Sequence, residues 1–200
     1  MIHPPCTDRK RPETDGFPAI IPPLPLNEPE RLESLRRYAL LDTPPEAAYD
    51  RMTRLAARML GTPVSLISLL DESRQWFKSR HGFDTPWTRR DLAFCSYTIL
   101  QDDVMVVSDA LEDERFARNA LVTDDPGIRF YAGVPLRTSG DLAFGSLCVI
   151  DHVPRHDFGD EEKAILRDLA AMVMHEIEAR HAADVAAREI EERRKAEHAL

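Results

Sequence analysis

FYAGVPLR at Phe130–Arg137 and LAFGSLCVI at Leu142–Ile150 decide the fold. Each is an apolar run of strand length, and Ser139–Gly140 between them supply a turn, so the two read as an antiparallel hairpin. A second hairpin stands upstream. VSLISLL at Val64–Leu70 is almost wholly apolar, the pattern of a central strand buried on both faces. Glu72 and Ser73 mark a tight turn, and Arg74–Arg80 follows as the partner strand. Between the hairpins, Asp91–Leu100 reads as a short helix with Leu92, Cys95 and Ile99 on one side, and Val104–Ser108 as another strand. Asp109–Gly127 is a long irregular stretch, a length that serves binding loops and lids.

Helices flank the strands. Glu30–Leu40 carries Leu32, Leu35 and Leu40 among charges, and LDTPPE (Leu41–Glu46) breaks it. Glu46–Leu60 places Ala48, Met52, Leu55, Ala56 and Leu60 at helical spacing, with Gly61 as its stop. A last, long helix begins near Asp160. Residues 1–29 are rich in proline and polar groups, which disfavours regular structure, and read as a loose arm. The chain therefore divides into an arm (1–29), a globular domain (30–158) and a terminal helix (159–200). Strands joined by hairpins with helices on either side give an α+β architecture around a central antiparallel sheet.

Composition limits the function. With 200 residues and 43% hydrophobic content the chain can bury a core without metal or disulfide support. A net charge of -9 repels phosphate backbones and argues against nucleic acid. No apolar run is long enough to span a bilayer, and the N-terminus has no apolar h-region, so neither membrane insertion nor secretion is expected. Cys6, Cys95 and Cys148 are an odd number of distant thiols, as in a reduced, cytoplasmic protein.

Several stretches resemble one family. IRFYAGVPL (Ile128–Leu136) and GSLCVIDHVPR (Gly145–Arg155) resemble the closing hairpin of bacterial GAF domains. SLISLLDESRQWFKSRHG (Ser65–Gly82) resembles their opening hairpin, FCSYTI (Phe94–Ile99) their middle helix, and VSDALEDERFARNALV (Val107–Val122) their strand and loop. The lead-in from Arg31 to Leu60 resembles the subgroup found N-terminal in sensor histidine kinases and diguanylate cyclases. The resemblance runs in order from Arg31 to Arg180. It implies helices on both faces of the sheet, and a pocket between the sheet, the middle helix and the loop. It implies a sensory and dimerisation module, which in this family takes cyclic nucleotides, bilins, haem or other small molecules; no particular cofactor follows. Phe94, Cys95, Thr98, Asp109, Phe116, Arg129 and Tyr131 are the ligand-contact candidates; no catalytic residue or metal ligand is expected.

Each candidate also has an ordinary packing role. Cys95 lies in the stripe of Leu92 and Ile99 as a small core residue, with pocket lining or a reactive thiol as the functional alternative. Bilin-attaching cysteines of the family are commonly followed by histidine; here Ser96 follows Cys95. Cys6 sits where bacterial phytochromes attach a bilin, but no intervening domain is present. Free methionine sulfoxide reductases are GAF enzymes that use cysteines; Cys95 and Cys148 could approach each other in the fold, but their flanking residues do not resemble those enzymes, and no reductase turnover is expected. Arg129 either pairs with a loop acid such as Asp113 or Asp125 or holds an anion in its planar fork. Asp109, Phe116 and Asn119 serve the loop as turn residues or the pocket as contacts. Gly133 and Gly145 permit close packing within strands. His152 and His156 are four apart, but VPR between them breaks helical alignment.

In the terminal helix, Asp160–Glu162 suit the positive end of the helix dipole. Ile165, Leu169, Met172, Val173 and Ile177 form an apolar stripe for the sheet or for a partner copy. Beyond His181 the stripe thins to Val185, Ile190 and Leu200 among charges, as in a parallel two-stranded coiled coil. The pattern stops without a cap, as in a piece of a longer chain. The expectation is a cytoplasmic homodimeric module, most simply of a sensor histidine kinase, that relays a pocket or loop change through paired helices.

Overall fold

The computed structural model describes residues 20–198. Helices α1 (Glu28–Arg37) and α2 (Ala47–Leu60) lead into strands β1 (Val64–Leu70), β2 (Arg74–His81) and β3 (Trp87–Arg89). Helix α3 (Cys95–Thr98), strand β4 (Met105–Val107) and helix α4 (Ala120–Thr123) follow, then β5 (Phe130–Arg137), β6 (Ala143–Asp151) and the 39-residue helix α5 (Asp160–His198). The strands form one six-stranded antiparallel sheet in the order β3-β2-β1-β6-β5-β4.

The two hairpins meet along β1 and β6, where Val64–Leu69 pairs with Ile150–Gly145. That register sorts the side chains. Ile67, Leu69, Leu147, Val149, Phe130, Ala132 and Val134 face α1, α2 and α5 in one core cluster. Leu66, Leu70, Cys148, Ile150 and Tyr131 face α3 and the loop after β4 in the other. Both faces are covered, so the central strands are buried throughout, as the unbroken apolar run of β1 implies.

α1 starts at Glu28, inside the stretch read as irregular arm; Pro29 at its first turn and the acids Glu28 and Glu30 are favourable there. The arm's residues 1–19 lie outside the described residues. The helix expected over Asp91–Leu100 is broken into a 3-10 turn (Arg90–Leu92) and the single turn of α3. β3 escaped the sequence reading because three residues after a proline carry no alternation. Leu55, read as core, is 42% exposed, and Met59 beside it is 51% exposed. On α5 the sheet takes Leu166, Leu169, Ala170, Val173, Met174 and Ile177. Met172 of the expected stripe points away, 51% exposed.

A buried ionic knot fixes α1 to the sheet. Arg31 is 1% exposed and donates two hydrogen bonds to the Glu28 carboxylate, each 2.7 Å. Its guanidinium also reaches the Ala143 and Phe144 carbonyls at the start of β6. Arg90 donates to Glu28 at 2.6 Å and to the Asp71 carbonyl at 2.7 Å. Burial works to raise the Glu28 carboxyl, but the Arg31 and Arg90 hydrogen bonds outweigh it and hold it below the usual range. Lys78 is a second tie. It sits at the β-bulge of β2, its side chain fully buried, and donates to Thr43 Oγ1 and the Pro44 carbonyl while pairing with Glu46.

Glu28→Ala strands two buried guanidinium groups and should cost about 3–5 kcal/mol in urea unfolding. Because the folded carboxyl lies below its ordinary value of 4.5, its stabilisation is full above that pH and is lost as pH falls through the folded value. The stability gap between the native chain and Glu28→Gln should shrink correspondingly in acid.

Candidate functional site

The face of the sheet opposite α5 carries the interior expected to be a pocket. α3 lies over β6 and β5 with Phe94 at its start, and the loop 109–127 closes beside it. Phe116, fully buried, stacks on Phe94 with ring centroids 3.9 Å apart, and Tyr97 meets Phe116 edge-on at 5.1 Å. Tyr131 from β5 contacts Phe94 from below at 5.1 Å. Phe94 and Tyr97 at α3, Phe116 of the loop and Tyr131 of β5 thus fill the volume between α3, the loop and the sheet.

Gly133 makes the Tyr131 position possible. A Cβ there would lie 2.2 Å from the Tyr131 hydroxyl, so the ring occupies space that any other residue would take. The hydroxyl shares a 2.6 Å hydrogen bond with Thr98 Oγ1 and donates to Cys95 Sγ at 3.4 Å. Gln75 of β2 donates to the same sulfur at 3.0 Å, and Cys148 Sγ lies 4.0 Å from it. Five of the sequence candidates, Phe94, Cys95, Thr98, Phe116 and Tyr131, therefore come together. What remains between them is a cavity of about 20 Å³, bordered by Phe94, Cys95, Cys148, Gln75, Tyr131 and Phe83. That is room for a single water.

Asp109 and Arg129 stand apart from this interior. Arg129 grips Asp109 in a two-point ion pair of 2.8 and 2.5 Å, in place of the expected Asp113 or Asp125. Asp113 is taken by Arg115. Asp109 also accepts from the Leu111 amide, and the Ala110 amide donates to the Arg129 carbonyl, so the pair fastens the loop where it leaves β4. The Arg129 hydrogen bonds hold the Asp109 carboxyl below the usual range. Asn119 caps α4 by accepting from the Leu121 amide, and its amide reaches the Leu92 carbonyl.

The thiols are electrostatically unequal. Burial pushes the Cys95 thiol up, but hydrogen bonds from Cys148, Ser146, Ser68 and Tyr131 outweigh it and bring it down to about 6. Cys148 is driven well above the ordinary thiol value by its hydrogen bond to Cys95 and by burial. Gln75 is the residue that sequence reasoning missed, whereas Cys148 was considered as a partner of Cys95 and lies beside it. A polar Gln75 beside Trp76 and Phe77 in a strand was the available signal.

Larger clefts lie outside this interior. One of about 400 Å³ separates Ile21–Leu24 from Arg89–Asp91. Another of about 670 Å³ runs along β2 beside α2. Among the described residues, no group of three or more His, Cys, Asp or Glu side chains is placed to hold a metal.

A model of the GAF domain family matches residues 44–177, more than half of the chain. The protein belongs to the GAF domain family. The chain is 40% identical over 156 residues to a cyclic di-GMP phosphodiesterase of Pseudomonas aeruginosa, an alignment covering 78% of this chain and 27% of that protein. The chain thus spans about a quarter of that relative's length. The GAF domain of an Acinetobacter phosphoenolpyruvate-protein phosphotransferase superposes with a TM-score of 0.55 at 22% identity, over 78% of this chain and 97% of the other. A free methionine-R-sulfoxide reductase from Neisseria meningitidis, in complex with its substrate, superposes with a TM-score of 0.55 at 16% identity, over 78% and 91%. At these identities the structural likenesses establish the fold. In this protein the space between the sheet, α3 and the loop is taken up by its own aromatic and thiol side chains.

Tyr131→Phe removes a donor from Cys95 and a partner from Thr98. The Cys95 thiol should rise above about 6, so that thiolate absorbance in the ultraviolet appears only at higher pH. Stability should fall by about 1 kcal/mol.

Proposed function

We propose that this GAF domain is the cytoplasmic input module of a bacterial signalling protein, and that it works as a parallel homodimer whose α5 helices lead to an output domain. The observation that carries the reading is the surface of α5. At 1.5 Å per residue the helix is about 58 Å long. Its last buried residue is Ile177, Arg180 and His181 still reach the domain, and residues 185–198 are all exposed. Val185 and Ile190 on that stretch are 40% and 57% exposed, and Met172 is exposed further back. A helix with a sparse apolar seam among charges gains stability by pairing with its own copy.

The root of this stretch is held by elements that also touch the sheet. Tyr38 stacks on His181 at 4.2 Å and meets Phe144 edge-on, while Arg180 reaches Glu46 at 3.5 Å. At the other end Arg167 pairs with Asp103, just before β4 and the loop. A shift of the loop or of α3 would therefore bias the angle at which α5 leaves the domain, a population shift between two arrangements. We place cyclic dinucleotide turnover ahead of a histidine kinase as the output, because the relative at 40% identity is a cyclic di-GMP phosphodiesterase. The domain itself performs no catalysis in this reading. The side chains of this structure leave about 20 Å³ beside the two thiols, room for a water-sized molecule.

Light scattering after size exclusion, at tens of micromolar, should give twice the chain mass. Val185→Glu with Ile190→Glu should give the monomer mass with an unchanged near-ultraviolet spectrum. A monomeric native chain would overturn the dimer.

A further inference from the structure

We propose that Cys95 and Cys148 form a modification site, a dithiol that small hydroperoxides oxidise to an intramolecular disulfide inside the domain. The proposal does not depend on α5 or on the identity of the output. The two sulfurs sit 4.0 Å apart, Cys95 on the single turn of α3 and Cys148 in the centre of β6. Both residues are at most 1% exposed. Thiols that only pack need no donors aimed at them, yet Cys95 Sγ receives Gln75 Nε2 at 3.0 Å and the Tyr131 hydroxyl at 3.4 Å. Those donors stabilise a thiolate on Cys95, and Cys148 stands ready as the protonated partner.

The cavity beside them sets the class of oxidant. At about 20 Å³ it admits a molecule near the size of water, and it opens toward half-buried Phe83, Thr88 and Leu121. Hydrogen peroxide fits that limit; a bulky aryl hydroperoxide does not. The Cys95 thiolate attacks one peroxide oxygen, the O–O bond breaks, and the departing hydroxide takes up a proton to leave as water. Cys95 is then a sulfenic acid. Cys148 gives up its proton to the sulfenic hydroxyl as its sulfur attacks Cys95 Sγ. The S–S bond forms, the S–O bond breaks and a second water leaves. In sum the two thiols lose two electrons and the peroxide gains them.

The bond also has a mechanical effect. A disulfide needs sulfurs about 2.05 Å apart, so they must approach by roughly 2 Å. β6 is locked between β1 and β5, whereas α3 is one turn held by Thr98–Tyr131 and the Phe94–Phe116 stack. The closure therefore falls on α3, which is drawn onto the sheet.

The test uses the chain with Cys6→Ser, so that only these two thiols remain. One equivalent of hydrogen peroxide should lower the intact mass by the two hydrogens lost, abolish both free thiols measured after denaturation, and leave a monomer on a non-reducing gel. Dithiothreitol should restore both thiols. Cumene hydroperoxide should react at least ten-fold more slowly. With Cys148→Ala added, dimedone should trap a sulfenic acid on Cys95; with Cys95→Ala added, Cys148 should react at least ten-fold more slowly than Cys95 does. Two free thiols after peroxide, oxidation to sulfinic acid with no loss of the two hydrogens, or a disulfide between chains would each overturn the proposal.

Discussion

The pairing of β1 with β6 is the constraint on which the rest of the structure depends. It joins an N-terminal hairpin to a C-terminal one across the whole length of the domain, and it makes a single sheet of two local units. The strands approach so closely at Gly145 that a Cβ there would lie 1.8 Å from the Ser68 carbonyl oxygen. The same pairing sets which residues of β6 look toward α5 and which toward α3. A slip of one residue would exchange Leu147 and Val149 for Cys148 and Ile150, exposing the helices to the thiol side and emptying both cores.

From that register come two faces with different physics. The α5 face mixes aliphatic side chains with Tyr49, Trp76, Phe130 and Phe144, and its helices are clamped by the Glu28–Arg31–Arg90 knot and by Lys78. The α3 face is aromatic and polar, built from one helical turn and a loop fastened at its root by Asp109–Arg129. It is covered by less regular structure than the other face.

Much of the architecture was legible in the sequence because it is local. VSLISLL and FYAGVPLR are apolar runs bounded by turn residues, and each appears as a strand within a residue of its reading. The convergence of Phe94, Cys95, Thr98, Phe116 and Tyr131 was implied by the family resemblance rather than by spacing. Pairings between distant residues were not legible. Nothing in the composition of the loop distinguishes Asp109 from Asp113 or Asp125 as the partner of Arg129; only the closeness of the β4 exit to the start of β5 does. Lys78 looks like a solvent-facing strand residue until a bulge turns it inward onto Thr43 and Glu46. Leu55 and Met172 match a helical apolar pattern and lie on the outer flank, because a stripe wider than the sheet leaves its margins bare.

The central claim is that α5 leaves the domain beside its own copy and in the same direction. Electron spin resonance distances report this directly, with a nitroxide at Ala187→Cys in a chain whose other cysteines are replaced by alanine. Two helices side by side and in register put the labels about two helix diameters apart, roughly 20 Å, in one narrow distribution. A broad distribution, a long distance only, or no dipolar coupling would contradict the account.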